Sequence, residues 1–389
     1  MTSENTHRPT RTEIDLDNLA FNFNSVKEFV GDDVKYMAVV KADAYGHGAV
    51  ECALRLESAG VDWFGVALPE EGIELRKAGI GNRILCLGSF WPGQEEDLLD
   101  HKITPVIYQI GQAELFDSAA AARNISAEFH LKIDTGMNRI GIRYDRVEEF
   151  ADRLKQFENI SLEGVMTHFA AADDLGENEF TRSQIGRFNR SVELLENKGF
   201  KPVFKDLANS PASVAHPDSY GNMVRLGGVL YGLGDDILPK EIPNPALKPV
   251  LSMYSEIAYL KNVPAGETVG YSRTHMVERD SVIASIPVGY HDGFRRGLSN
   301  RACVLVKGQR VPVVGRVSMD WTLLDVTDVH DCETGERVTL IGVDKNEKIT
   351  AAELARSLET ISYEITCGIS RRVERRFLPA RTQAQFSQE

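Results

Sequence analysis

The sequence predicts an α/β protein: an N-terminal (β/α)8 barrel of the TIM type followed by a smaller, mainly antiparallel β domain. Three observations predict it. From about residue 34, short β-branched or apolar runs alternate with longer stretches of helical period at intervals typical of βα units. After about residue 234 the texture changes to a segment rich in proline and charge, and then to short β-rich runs. At 389 residues the chain also exceeds what one core usually reaches, so two domains are expected.

The expected strands are 35–40, 63–67, 84–88, 104–108, 128–133, 162–168, 204–207 and 223–226. Helical patterns lie between them, among them 69–78, 111–121, 146–157 and 181–199, with LPEEG and NSPAS supplying Pro or Ser near helix starts. Eight strands, each followed by a helix, suit a closed barrel better than an open sheet. The stretch DDILPKEIPNPALKP reads as a linker. Beyond it, VLVKGQRVPVVG reads as a hairpin around Lys307 and Gly308, and Thr350 with Glu353 has the spacing of a capping box. These boundaries give a barrel over 12–240, a β domain over 241–380 and an unpacked tail over 381–389.

Composition narrows the function. There are 57 acidic against 44 basic side chains, a net charge of −13, which argues against nucleic acid or an anionic membrane as the main partner. The five cysteines are scattered and form no C-x-x-C pair, so neither a disulfide framework nor a zinc ribbon is expected, and no metal site is. Residues 1–11 carry no apolar core and no run of 18 apolar residues occurs, so a cytoplasmic enzyme is expected.

In such a barrel, reacting groups gather where strands end. Lys41 ends the first strand. Desolvated there, its amine becomes a usable nucleophile for a carbonyl, although a strand-end lysine that merely reaches for water is the commoner case. The fifth strand ends in HLKIDTGMNRIG, where Lys132, Asp134 and Arg139 suggest an anionic ligand or a solvated charge cluster. The sixth ends at His168, and a histidine there is more often a satisfied core residue than a catalyst. Asn209 and Ser210 stand at a helix start, as phosphate holders or as an ordinary cap. The eighth carries Arg225 and then Gly227 and Gly228, where a backbone can approach a phosphate. Tyr271, Tyr290, Arg296 and Tyr363 lie near glycines in the second domain, and packing alone accounts for any one of these tyrosines.

Together these segments resemble the alanine racemases. VVKADAYGHGA, LKIDTGMNRIG, THFAAAD, ANSPA, VRLGGVLYG, VGYSRT, VGYHDGF, VGRVSMD and ISYEITCGIS follow the family's blocks in order, from about residue 13 to 376. The resemblance implies a cytoplasmic homodimer with shared sites, residues 1–15 adding a strand to the β domain, and pyridoxal 5'-phosphate as cofactor. It implies interconversion of L- and D-alanine, the D-alanine supplying peptidoglycan. Lys41 would form the aldimine with the cofactor and work one face of the substrate Cα, and Tyr271 of the partner the other. Tyr45, Asn209, Ser210, Gly227 and Tyr363 would hold the cofactor, chiefly its phosphate. Arg225 would face the pyridine nitrogen, and with His168 would supply a cationic field. Arg139 would hold the phenolic oxygen and help with the substrate carboxylate, which would also meet the Met319 backbone N–H of the partner, in a substrate-binding loop ordered by Asp320. Tyr290 and Arg296 would line the entrance, and Lys132 would carry a carbamate. His291, Ser318 and Glu374 depart from the family's usual Ala, Cys and Pro. On the same motifs a broader amino-acid racemase remains open. A related decarboxylase is disfavoured by Arg225, and a non-catalytic cofactor-binding protein by the Tyr271 and Met319 blocks.

Overall fold

The computed structural model describes residues 8–379, so the expected tail and the first seven residues lie outside it. The chain divides into two compact units. One holds 19–44 and 48–248; the other holds 45–47 with the described parts of 1–18 and 249–389.

The first unit is a closed barrel of eight parallel strands: Lys35–Val39, Trp63–Val66, Arg83–Cys86, Ile103–Ile107, Ala127–Asp134, Ile160–Met166, Phe204–Asp206 and Met223–Leu226. The ring closes where Met223–Leu226 pairs with Lys35–Val39, and Ile103–Ile107 with Ala127–Asp134. Strands buried on both faces must be nearly continuous apolar runs, which is why the sequence shows them so plainly. Met37, Trp63, Leu85, Val106, Met166 and Met223 fill the interior. Into this packing the chain inserts His130, its ring 5.4 Å from Trp63 and 5.8 Å from Phe204. Gly164, across the strand pair, makes the room: a Cβ there would meet the imidazole at 2.5 Å.

The eighth strand departs from the expectation of a helix after every strand. Only a 3-10 turn, Gly228–Tyr231, follows it, and the linker to residue 250 is irregular. The helix that precedes the first strand, Leu16–Val30, packs on the barrel instead. Leu19, Phe23 and Val26 are fully buried, and Asn22 donates to the carbonyls of Leu230 (3.0 Å) and Lys248 (2.8 Å).

The second unit is mainly antiparallel. Arg11–Asp15 lies between Leu251–Glu256, to which it is antiparallel, and Glu374–Leu378, to which it is parallel. The hairpin at Lys307 and Gly308 joins Cys303–Val306 to Gln309–Pro312. Thr350 caps the helix Ala351–Ser357 by accepting from the Glu353 N–H at 3.1 Å. The reciprocal half of the expected capping box is missing, because the Glu353 carboxylate accepts from Arg310 at 2.6 Å, a stronger, charge-assisted partner.

The fit of His130 against Gly164 predicts that Gly164→Ala destabilises the chain by about 1–3 kcal/mol, as overpacking does. Urea denaturation should show the loss, and His130→Ala in the same chain should recover part of it.

Candidate active site

Lys41 stands where the first strand ends. The four residues after it, Ala42, Asp43, Ala44 and Tyr45, all have φ between 52° and 55°, and the Ala44 N–H bonds the Val40 carbonyl at 2.9 Å. This is a left-handed helical turn built without glycine, at about 1–2 kcal/mol per residue. Backbone strain of that size persists only where the surroundings hold it. Two carboxylates do so: Glu71 Oε1 accepts the Ala42 N–H at 2.7 Å, and Asp43 Oδ1 accepts the Ala49 N–H at 2.8 Å. Farther along the turn, Gly46 lies so close to the helix Ser362–Cys367 that a Cβ would meet the Thr366 carbonyl at 2.1 Å. There the Tyr45 and Tyr363 rings sit 5.2 Å apart.

Lys132, Arg139, His168 and Arg225 share an electrostatic neighbourhood with Lys41 at the C-terminal end of the strands. Lys132 is 5 % exposed, and burial, reinforced by Arg225, Arg139 and Lys41, lowers its ammonium to about 7. Burial and the same cations hold His168 well below its ordinary value, so it is neutral and does not contribute the positive charge expected of it. Arg225 carries that charge. Its Nη2 donates to the Thr167 carbonyl (2.9 Å), the Leu207 carbonyl (3.1 Å) and His168 Nδ1 (3.2 Å), which leaves the His168 proton on Nε2. Its Nη1 donates to the carboxylate of Asp206, which is completely buried. Burial raises the Asp206 carboxyl, with Arg225 pulling the other way. Arg225 Nε takes no hydrogen-bond partner among the described residues.

The next loops form a cradle. Asn209 caps the helix Ser210–Ala215 by accepting from the Ala212 N–H at 3.1 Å. Ser210 is thereby relieved of capping and accepts the Gly227 N–H at 2.8 Å, joining the loops after the last two strands. Asp134 closes its own turn by accepting from Gly136 (2.9 Å) and Asn138 (3.1 Å), and Arg139, just beyond, is exposed. No cluster of three or more His, Cys, Asp or Glu suited to a metal occurs among the described residues.

In the second unit Tyr271 is 71 % exposed, on a turn between Thr268–Val269 and His275–Met276. Met319, Asp320, Tyr290, His291 and Arg296 are exposed as well. The Tyr290 and His291 N–H groups bond the carbonyls of Ser318 (2.9 Å) and Met319 (3.1 Å), welding the two loops together. Asp292, buried beneath them, accepts from Arg8 (2.6 Å) and Arg372 (2.7 Å), and Arg372 also donates to Asp320 at 2.7 Å. The structure thus gathers Lys41, Lys132, His168 and Arg225 electrostatically, and Ser210 and Gly227 by a hydrogen bond. Sequence reasoning missed Glu71, Asp206 and Asp292. The only signal was an acidic residue inside or beside an otherwise apolar or glycine-rich block.

Comparison with known proteins identifies the family. Residues 14–235 match the model of the alanine racemase N-terminal domain, and 250–377 that of the C-terminal domain. An alanine racemase of Halothermothrix orenii is 43% identical over 372 residues, 95% of this chain and 97% of that one. Among solved structures, an alanine racemase of Clostridium difficile 630 superposes with a TM-score of 0.90 at 39% identity, covering 96% of this chain and 97% of that one. One from Bartonella henselae, with covalently bound pyridoxal phosphate, gives 0.86 at 28% identity, covering 95% and 99%. The parallel barrel, the antiparallel second unit and these full-length matches lead to one conclusion: the chain belongs to the alanine racemase family.

Proposed function

We propose that this racemase interconverts L- and D-alanine by two-base proton transfer, using pyridoxal 5'-phosphate, with D-alanine for peptidoglycan as its product. The observation that carries the reading is the group of cations, Lys41, Arg139 and Arg225, around the buried Lys132, with the buried carboxylate of Asp206 beside Arg225. Such a field calls for anions, and a phosphate-bearing cofactor and a substrate carboxylate are two. The residues fit that cofactor. The Ser210 hydroxyl and the loop at Gly227 suit a phosphate, with Tyr45, Asn209 and Tyr363 assigned to the same task, and the unpartnered Arg225 Nε suits a ring nitrogen.

When bound, the cofactor supplies an electron sink that acidifies the amino acid's α-proton. Lys41 would hold the cofactor and hold or move a proton on one face of Cα. Tyr271, from a partner subunit, serves the opposite face, since inversion requires a proton to leave one side and arrive on the other. Arg225 does not give up its proton, so it would offer a ring nitrogen a hydrogen bond without protonating it. Arg139 and the Met319 backbone N–H of a partner subunit bind the substrate carboxylate, Asp320 orders the Met319 loop through Arg372, and Tyr290 and Arg296 line the entrance. The exposed Tyr271, Met276, Tyr290, Met319 and Trp321 of the second unit support pairing with a second copy as a homodimer. A cytoplasmic location follows from the same reading. A lysine that titrates at about 7 presents a free amine at neutral pH, the form that captures carbon dioxide, which supports a carbamate on Lys132.

Chiral chromatography of single-enantiomer alanine with the loaded protein tests the proposal. Lys41→Ala should abolish turnover, and unchanged turnover in that variant would contradict it. Tyr271→Phe should lower racemisation by about 10²–10⁴-fold while solvent deuterium still enters one enantiomer without inversion. Equal loss of exchange from both enantiomers would contradict a two-base scheme. In 13C-bicarbonate buffer, a carbamate carbon signal should appear by NMR and be absent from Lys132→Ala.

A further inference from the structure

We propose that Glu71 is a positioning residue for Lys41, resting on the role given to that lysine above. Glu71 occupies the first turn of the helix Pro69–Lys77, after the second barrel strand. One of its oxygens does ordinary capping work: Oε2 accepts the N–H of Ala67 (2.6 Å) and of Leu68 (3.3 Å), at the start of its own helix. The other leaves that helix. Oε1 accepts the N–H of Ala42 at 2.7 Å, in the loop after the first strand and one residue beyond Lys41.

A single half-buried carboxylate therefore bridges two neighbouring loops, and one of its bonds lands at the start of the left-handed turn. Four consecutive non-glycine residues in that turn have no intrinsic reason to stay there. The backbone bond from Ala44 to Val40 and the Asp43 side chain close the turn upon itself, whereas Glu71 ties its first N–H to the adjacent strand's loop. The direction of the Lys41 side chain is set by the backbone on either side of it. Holding the Ala42 peptide fixes that direction through the backbone.

Both oxygens are in use, so Glu71→Gln discriminates. An amide offers one acceptor and turns an NH2 group towards whatever faced the other. In the cofactor-free protein, amide hydrogen exchange across 41–47 should speed up about tenfold or more in Glu71→Gln, with the strand Lys35–Val39 unchanged. In the loaded enzyme kcat should fall with KM nearly constant, and Glu71→Asp should restore neither, its carboxylate being one methylene short. If exchange changes only around 67–71, or kcat and KM are both unaltered, Glu71 is a helix cap alone and the proposal is overturned. Should Glu71→Gln fail to fold, Glu71→Asp carries the same exchange test. A chain without racemase activity would defeat the functional reading but leave the exchange result to be judged by itself.

Discussion

Like charges gathered in a poorly solvated place repel one another, and that constraint orders the end of this barrel. Such repulsion is strongest where burial removes the water that would screen it. Burial first, and the neighbouring cations after it, lower the Lys132 ammonium to about 7 and hold His168 neutral. Arg225 has no such option, so it is held by three backbone carbonyls and a buried Asp206 carboxylate. What remains is a positive site whose natural complement is anionic. The chain's net charge of −13 says nothing of this, because it describes the solvent face.

The scaffold supplies the stiffness such a site needs. Hydrogen-bonded parallel strands fix where Lys132, Asp206 and Arg225 begin, and the packed interior leaves them no room to move apart. Lys41 is placed differently. Its strand ends and the chain turns at once into a left-handed conformation that ordinary residues avoid. Precision there depends on hydrogen bonds, those of Glu71 and Asp43 among them, as well as on packing around Ala44 and Gly46.

Much of this was legible in the sequence, for a physical reason. Strands buried on both faces write themselves as apolar runs, so 223–226 matches Met223–Leu226 and the others shift by one or two residues at their ends. The hairpin at Lys307 and the Thr350 cap were equally local. The left-handed turn was not, since ADAY has no preference for positive φ and the cause lies in Glu71 and Asp43. The absent eighth helix was missed because Leu16–Val30 takes its packing role from the other end of the barrel sequence. Asp206 was passed over as the last residue of a strand; only the fold puts Arg225 against it. Roles for Tyr271 and Met319 came from resemblance alone, because an exposed tyrosine on a turn carries no local mark of its chemistry.

The claim that burial among cations governs this site is tested most directly by the titration of one amine. In carbonate-free buffer, NMR of isotopically labelled lysine in the cofactor-free chain, with the signal identified by its loss in Lys132→Ala, should give a midpoint near 7 for Lys132. A midpoint at the ordinary lysine value, about 10.4, would mean that the ammonium is solvated or paired, and the account of the site would be wrong.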